Sequence, residues 1–357
     1  MRSSLPDFPW DALAPYGEIA RGHAGGIIDL SQGTPVDSTP EFIQSKFRES
    51  SNSPRYPVTA GTPELREAMK SWALNHLGAT GDFDVLPIIG SKELVAWLPT
   101  ILDSKKVLIP EVAYPTYNVG AIIASAQAIT VPIDAENWPE ADLAWINSPS
   151  NPTGQVHSDG EIASAISWSQ KNNSVLASDE CYLDFGDSAQ GRSILAIANG
   201  KNTNLLAVHS LSKRSSMAGY RGAILIGDSN LIATIREFRK HAGMMVPLPV
   251  QNAMVAALSD EKHVGEQRAR YNNRRALLMP ALAKAGFTIE FSHAGLYIWC
   301  TRNEDAWKSV GWLAELGILA TPGSFYGEKG ASHIRVALTA TDKQIADAVA
   351  RIESAVK

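Results

Sequence analysis

The sequence predicts an α/β fold, a mostly parallel sheet sandwiched by helices with a smaller α+β domain beside it. Three observations predict it. Short apolar runs at 107–110, 128–133, 143–147, 175–178, 205–208 and 223–226 alternate with amphipathic stretches such as 161–170 and 230–241. Alternation of this kind marks strands buried on both faces and the helices that cover them. The pattern then changes near Pro249. Finally, 357 residues with 45% hydrophobic content exceed what one core usually serves, so the chain is expected to divide in two.

In order, a strand at 85–89 leads through Gly90, Ser91, Lys92 and Glu93 into a helix over 94–102. The six apolar runs follow and complete the sheet. Beyond Pro249 a long helical region covers 267–285, broken by Pro280, because a proline inside a helix removes a backbone donor. A strand pair at 287–291 and 295–300, a helix at 307–316, a strand at 334–338 and a terminal helix from Asp342 come next. The amino-terminal segment is expected to join this second unit. The division is therefore a large domain over 36–265 and a small one made of 1–35 and 266–357. No internal repeat or low-complexity linker interrupts the chain.

The net charge of −5 is spread along the sequence with no basic block, which argues against nucleic-acid and anionic-membrane partners. No apolar run is long enough to span a bilayer, and Met1 to Trp10 lacks the charged-then-apolar plan of a signal peptide, so a cytoplasmic location is expected. Cys181 and Cys300 lie far apart in no metal-spaced pattern and read as reduced core thiols. The eight histidines are scattered too, and no metal site is expected.

The chemistry concentrates around Ser210, Leu211, Ser212 and Lys213, followed by Gly219, Tyr220, Arg221 and Gly222. Lys213 comes just past an apolar run, at the carboxyl end of an expected strand, where α/β sheets bind ligands. Hydroxyls stand one and three residues before it and an arginine eight residues after. An amine can form an imine with an aldehyde, and hydroxyl and guanidinium groups can hold a phosphate. One common cofactor carries both groups, pyridoxal 5′-phosphate.

Other strand ends add to this set. Asp179 closes the run 174–178, with Tyr182 three residues on; an anion there keeps a pyridine nitrogen protonated, although an aspartate at such a turn is equally a helix cap. Asn151 lies between Pro149 and Pro152, in a loop more rigid than a polar turn needs, and the Asn151–Pro152 bond is a candidate for the cis form. Gly90 and Ser91 open a helix whose free amides suit a phosphate. Tyr114 follows another strand and can stack on a planar ring. Arg335 sits within the apolar run 334–338. Its burial demands a carboxylate, either internal or from a substrate, and beside an imine-forming lysine the substrate reading is favoured. No dinucleotide or P-loop glycine motif appears.

Together these residues resemble the fold type I pyridoxal-phosphate-dependent aminotransferases, and the likeness covers nearly the whole chain in order. It implies that Lys213 carries the cofactor, and that Ser210, Arg221 and the amides of Ser91 and Lys92 hold its phosphate. Tyr114 matches the aromatic that stacks on the ring, and Asn151, Asp179 and Tyr182 the ring contacts. Arg335 matches the clamp on the substrate α-carboxylate, and Gly33 a backbone contact to the same group. Tyr56 resembles the tyrosine that reaches the neighbouring subunit's phosphate, which implies a homodimer with shared active sites.

Several stretches are also similar to the N-succinyldiaminopimelate aminotransferases. They are Phe8 to Asp11, Ile89 to Trp97, His209 to Arg214, Arg239 to Pro247 and Leu338 to Asp342. That likeness implies glutamate as amino donor and N-succinyl-2-amino-6-oxopimelate as acceptor, with Lys213 moving the Cα proton as general base. For the acceptor's distal carboxylates, Arg239, Lys240, Arg214 and Lys92 are candidates. The same cofactor residues also suit an aspartate or aromatic aminotransferase, or a β C–S lyase.

Overall fold

The apolar runs pair because residues alternate faces along a strand, and both faces of this sheet find helices to pack on. The computed structural model describes residues 5–186 and 191–356. After a two-residue strand β1 (Ile28–Asp29), seven strands form one sheet: β2 (Asp84–Ile88), β3 (Lys106–Pro110), β4 (Gln127–Val131), β5 (Leu143–Asn147), β6 (Val175–Asp179), β7 (Leu205–Ser210) and β8 (Ala223–Gly227). Their order is β2-β8-β7-β6-β5-β3-β4. Strands β4, β3, β5, β6 and β7 pair in parallel, and β8 alone runs antiparallel to both its neighbours. The carboxyl ends of β2, β3, β5, β6 and β7 therefore share one edge of the sheet, and β8 starts there.

Strand β5 shows how the sheet divides its burial. Ala144 and Ile146 join one cluster with Met69, Trp72 and Ile166, whereas Leu143 and Trp145 join the other with Leu94, Tyr117 and Ile232. The covering helices extend past the apolar stripe to their caps. The helix expected over 161–170 spans Asp159–Asn172, started by a capping box between Ser158 and Glu161. The helix expected over 230–241 spans Ser229–Ala242, capped by Asp228.

The second unit holds β9 (Thr288–Glu290), β10 (Tyr297–Thr301), β11 (Ile318–Leu319), β12 (Thr321–Pro322) and β13 (His333–Ala337). Four of these form an antiparallel sheet in the order β12-β13-β10-β9, while β11 pairs in parallel with β1. Leu13, Ile28 and Leu30 pack there with Tyr271, Leu278, Ile298 and Ile345, so the amino-terminal segment joins this core.

Pro280 does not break its helix, which runs unbroken from Lys262 to Lys284. Leu278, Ala281 and Leu282 are buried on either side of the proline, and this packing outweighs the loss of one backbone donor. The division expected after residue 265 falls in the first turn of the same helix, and we propose that turn as the joint between the two units.

Candidate active site

The shared strand edge opens into a cavity of about 340 Å³ that also reaches the small unit. At one end lies an anion cradle. The helix Ser91–Ile101 begins at Gly90, whose φ is +76°. The backbone angle calls for glycine, and a Cβ there, 2.2 Å from Arg221 Nη2, would also push the guanidinium aside. Arg221 is itself left-handed (φ +59°) and donates from Nη1 to the Ala218 carbonyl at 2.8 Å. Ser210 Oγ accepts the Ser212 amide at 3.1 Å. Hydroxyls, a guanidinium and a helix N-terminus thus line the same cavity.

Lys213 lies in the short helix Leu211–Arg214 that follows β7. Burial, aided by the charges of Arg221 and Arg335, pushes its amine down to about 8. A lysine so shifted is partly neutral, and hence nucleophilic, near neutral pH.

Asp179 ends β6 and is 7% exposed. Tyr117 Oη donates to its Oδ2 at 2.9 Å and the Cys181 amide to its Oδ1 at 3.2 Å. Burial pushes its carboxyl above the ordinary range, against the pull of these donors. Among the described residues no cationic side chain reaches it at salt-bridge distance. Asn147 ties the neighbouring loop to the same strand: its Nδ2 donates to the Asp179 carbonyl at 2.8 Å, and its Oδ1 accepts the Asn151 amide at 2.7 Å. Asn151–Pro152 is cis, as is Ser148–Pro149. Tyr182 Oη lies 3.1 Å from Tyr297 Oη, and burial holds the Tyr182 phenol well above its usual range. The Tyr114 ring stands perpendicular to Tyr117, centroids 6.0 Å apart, and burial pushes its phenol up to about 12.

The far end is Arg335, 2% exposed on β13. Its Nη1 donates to Asn151 Oδ1 at 2.9 Å and its Nη2 to the Ser31 carbonyl at 2.6 Å. The guanidinium carbon lies 4.1 Å from the Tyr297 ring centroid and 5.0 Å from that of Tyr326. Among the described residues Nε has no partner and no carboxylate pairs with the guanidinium. A Cβ on Gly33 would lie 2.0 Å from Tyr297 Oη, so only glycine brings the backbone this close.

Of the residues singled out from sequence, Gly33, Ser91, Lys92, Tyr114, Asn151, Asp179, Tyr182, Ser210, Lys213, Arg221 and Arg335 all line this one cavity. Tyr56 does not; it is 93% exposed. The distal-carboxylate candidates separate clearly. Arg239 is sealed against Glu93 at 2.9 Å, and Arg214 against Asp184 and Glu261 at 3.0 and 2.8 Å. Lys240 is an exposed partner of Glu237. Lys92 lines the mouth, 5.4 Å from the Phe8 ring centroid.

Cys181 corrects an expectation. Cys300 is buried, but Cys181 is only half-buried and lines the cavity, because it stands in the turn just after Asp179. Trp10, Tyr117 and Tyr297 were not anticipated. Trp10 had a signal, since it belongs to the Phe8 to Asp11 stretch; Tyr117 and Tyr297 read as ordinary core aromatics. His76, Asp184 and Glu261 approach one another within 4.8 Å, but both carboxylates already pair with Arg214. No helix among the described residues is long and apolar enough to cross a membrane.

This donor set fits pyridoxal 5′-phosphate. The cradle of Ser91, Ser210 and Arg221 matches a phosphate, an unpaired buried aspartate matches a ring cation, and an amine of lowered pKa matches an aldehyde. The comparisons agree. A probable aminotransferase of Mycobacterium tuberculosis is 49% identical over 358 residues, 98% of this chain and 86% of that protein. The 4-dedimethylamino-4-oxo-anhydrotetracycline transaminase of Streptomyces rimosus is 47% identical over 356 residues, covering 98% of this chain and 99% of that one. The solved structure of a probable N-succinyldiaminopimelate aminotransferase from Thermus thermophilus superposes with a TM-score of 0.89 at 26% identity, over 98% of this chain and 100% of that one. The family model for aminotransferase class I and II matches residues 26–352. The chain therefore belongs to the class I and II aminotransferases, fold type I enzymes that depend on pyridoxal 5′-phosphate.

Proposed function

We propose that this aminotransferase moves an amino group from glutamate to N-succinyl-2-amino-6-oxopimelate, giving N-succinyl-LL-2,6-diaminopimelate and 2-oxoglutarate in lysine and peptidoglycan-precursor synthesis. One observation carries the reading of the site: a buried carboxyl, Asp179, and a buried guanidinium, Arg335, neither with a counter-ion among the described residues, line one cavity with Lys213. An uncompensated buried charge costs several kcal/mol, so each fits a ligand group of opposite sign. Asp179 is assigned to the cofactor ring nitrogen and Arg335, with the Gly33 backbone, to the substrate α-carboxylate.

Pyridoxal 5′-phosphate, when bound, supplies a ring that takes up the electron pair left when the Cα proton departs. Lys213 would hold the cofactor through its aldehyde and, with its amine free, would take the Cα proton as general base. Ser91, Lys92, Ser210 and Arg221 would hold the phosphate, Tyr114 would lie against the ring, and Asn151 and Tyr182 would serve its phenolate oxygen. Tyr56, exposed on its own subunit, is assigned to the phosphate of the neighbour in a homodimer.

The succinyl tail carries a carboxylate away from the reacting carbon. Lys92 at the mouth, alone of the four cationic candidates in lining the cavity, supports that acceptor, as does the Thermus thermophilus neighbour. A second reading has a specific observation behind it. Phe8 and Trp10 stack at 5.4 Å with their planes 29° apart, a wall that suits a flat cyclic ketone, such as the tetracycline-type substrate named for the Streptomyces rimosus relative. An acceptor screen separates the two. After loading with glutamate, N-succinyl-2-amino-6-oxopimelate should regenerate the yellow enzyme, and Lys92→Met should raise its KM. Regeneration by phenylpyruvate or a polycyclic ketone, but not by the succinyl compound, would sink the first reading. Release of pyruvate and ammonia from cystathionine would instead indicate a lyase.

A further inference from the structure

Behind the Lys213 turn lies a second cavity, also about 340 Å³, which shares no lining residue with the first. Three of its residues stand in a hydrogen-bonded row. Ser215 Oγ is 2.9 Å from His263 Nε2, and His263 Nδ1 is 2.7 Å from Asp260 Oδ2. The same Asp260 oxygen accepts the His263 amide at 2.9 Å. That amide, and then the ring, hold the Asp260 carboxyl below the usual carboxylate range, so it stays ionised. With the ring proton on Nδ1 toward Asp260, Nε2 is left to accept the serine proton.

A nucleophile, a base and a group that orients the base do not suffice; a donor for the developing oxyanion is also required. Arg214 lines the same cavity and is 1% exposed. Its other guanidinium nitrogens pair with Asp184 and Glu261, but Nη1 has no partner among the described residues. Ser216, next after Ser215, sits at φ +50°, and Phe42 packs edge-on to the His263 ring at 5.5 Å. Ser215 itself is 1% exposed, so only a small molecule that enters the cavity can reach it.

We propose that Ser215, His263 and Asp260 form a second, hydrolytic site that cleaves short-chain carboxylic esters, with Arg214 Nη1 donating to the oxyanion. Ser215 Oγ adds to the ester carbonyl as its proton passes to His263 Nε2. The alkoxide leaves with that proton and an acyl-serine remains. A water deprotonated by His263 then attacks the acyl carbon, releasing the carboxylic acid and restoring the serine hydroxyl. The net reaction is ester plus water to acid plus alcohol, with no other reagent.

The test uses the full chain loaded with pyridoxal 5′-phosphate. Diisopropyl fluorophosphate should leave an adduct that peptide mass spectrometry places on Ser215. Hydrolysis of p-nitrophenyl acetate should fall by about a hundredfold or more in Ser215→Ala and in His263→Gln, while both variants keep the cofactor's absorbance and its response to glutamate. If a variant loses the cofactor band, the wild-type adduct decides alone. No adduct on Ser215, or undiminished hydrolysis in a folded Ser215→Ala, overturns the proposal and leaves the three residues as a tie between the Lys213 turn and the helix Lys262–Lys284.

Discussion

The nearly solvent-free arginines of this chain divide by region. In the scaffold, Arg214, Arg239 and Arg274 meet carboxylates: Asp184 and Glu261, Glu93, and Asp37 with Asp342. In the Lys213 cavity, Arg335 meets an amide oxygen, a carbonyl and the faces of Tyr297 and Tyr326, but no carboxylate among the described residues. Both kinds are desolvated, so the scaffold arginines are compensated by the chain, whereas the function proposed above gives Arg335 a ligand carboxylate. Asp179 is its mirror image, a buried carboxyl held by a phenol and an amide, with no cation at salt-bridge distance among the described residues.

If the comparison holds, substitutions in the cavity change rates and those in the scaffold change stability. The largest effect is expected for Lys213→Ala, which should abolish turnover while circular dichroism and thermal midpoint stay close to wild type. An undiminished kcat would remove Lys213 from the mechanism. Asp179→Ala should lower the glutamate half-reaction by several orders of magnitude, followed by absorbance, because an unprotonated ring is a poor electron sink. A loss below tenfold would assign the ring nitrogen to another residue. On the scaffold side, Arg274→Met strips Asp37 of a bidentate partner at 2.7 and 2.9 Å. Chemical denaturation should report a loss of about 3 kcal/mol, with KM for glutamate unchanged in the folded fraction. A raised KM would blur the division.

Arg335→Lys keeps the charge but loses the planar fork. KM for glutamate should rise about tenfold, the equivalent of one lost charge-assisted hydrogen bond of ~1.4 kcal/mol, with little change in stability. An unchanged KM would return Arg335 to the scaffold class. The smallest effect concerns pH. The Lys213 amine, lowered by burial from 10.5 to about 8, attacks only when neutral, so the apoprotein should capture pyridoxal 5′-phosphate faster as pH rises and level off above about 8. A rate still climbing at pH 10 would indicate an ordinary, unburied lysine.

Much of the cavity was legible in the sequence because its residues follow apolar runs directly. Ser91, Tyr114, Asn151, Asp179 and Lys213 each stand at or just past a strand end, and parallel topology brings such ends to one edge. Tyr297 and Tyr117 were not legible. Each is a buried aromatic in an apolar stretch, and nothing local says whether its hydroxyl faces core or cavity. Cys181 misled because its reading as a core thiol rested on its distance from Cys300 and the lack of a metal pattern, neither of which shows that the chain has already turned at the sheet edge. Pro280 misled because its helix is held by Leu278, Ala281 and Leu282 against the small core, a contact no local propensity reveals. Arg335 was legible as a conflict, a charge inside an apolar strand, and its surroundings, without a carboxylate among the described residues, support an external partner.

The most direct measurement is the near-visible spectrum of the purified, cofactor-loaded protein before and after adding glutamate, run beside Arg335→Lys. The account predicts a yellow band that glutamate converts to near-ultraviolet absorbance in wild type, at about tenfold lower concentration than in the variant. A band that glutamate leaves unmoved, or one converted at the same concentration in both proteins, would contradict the claim that Arg335 awaits a substrate carboxylate.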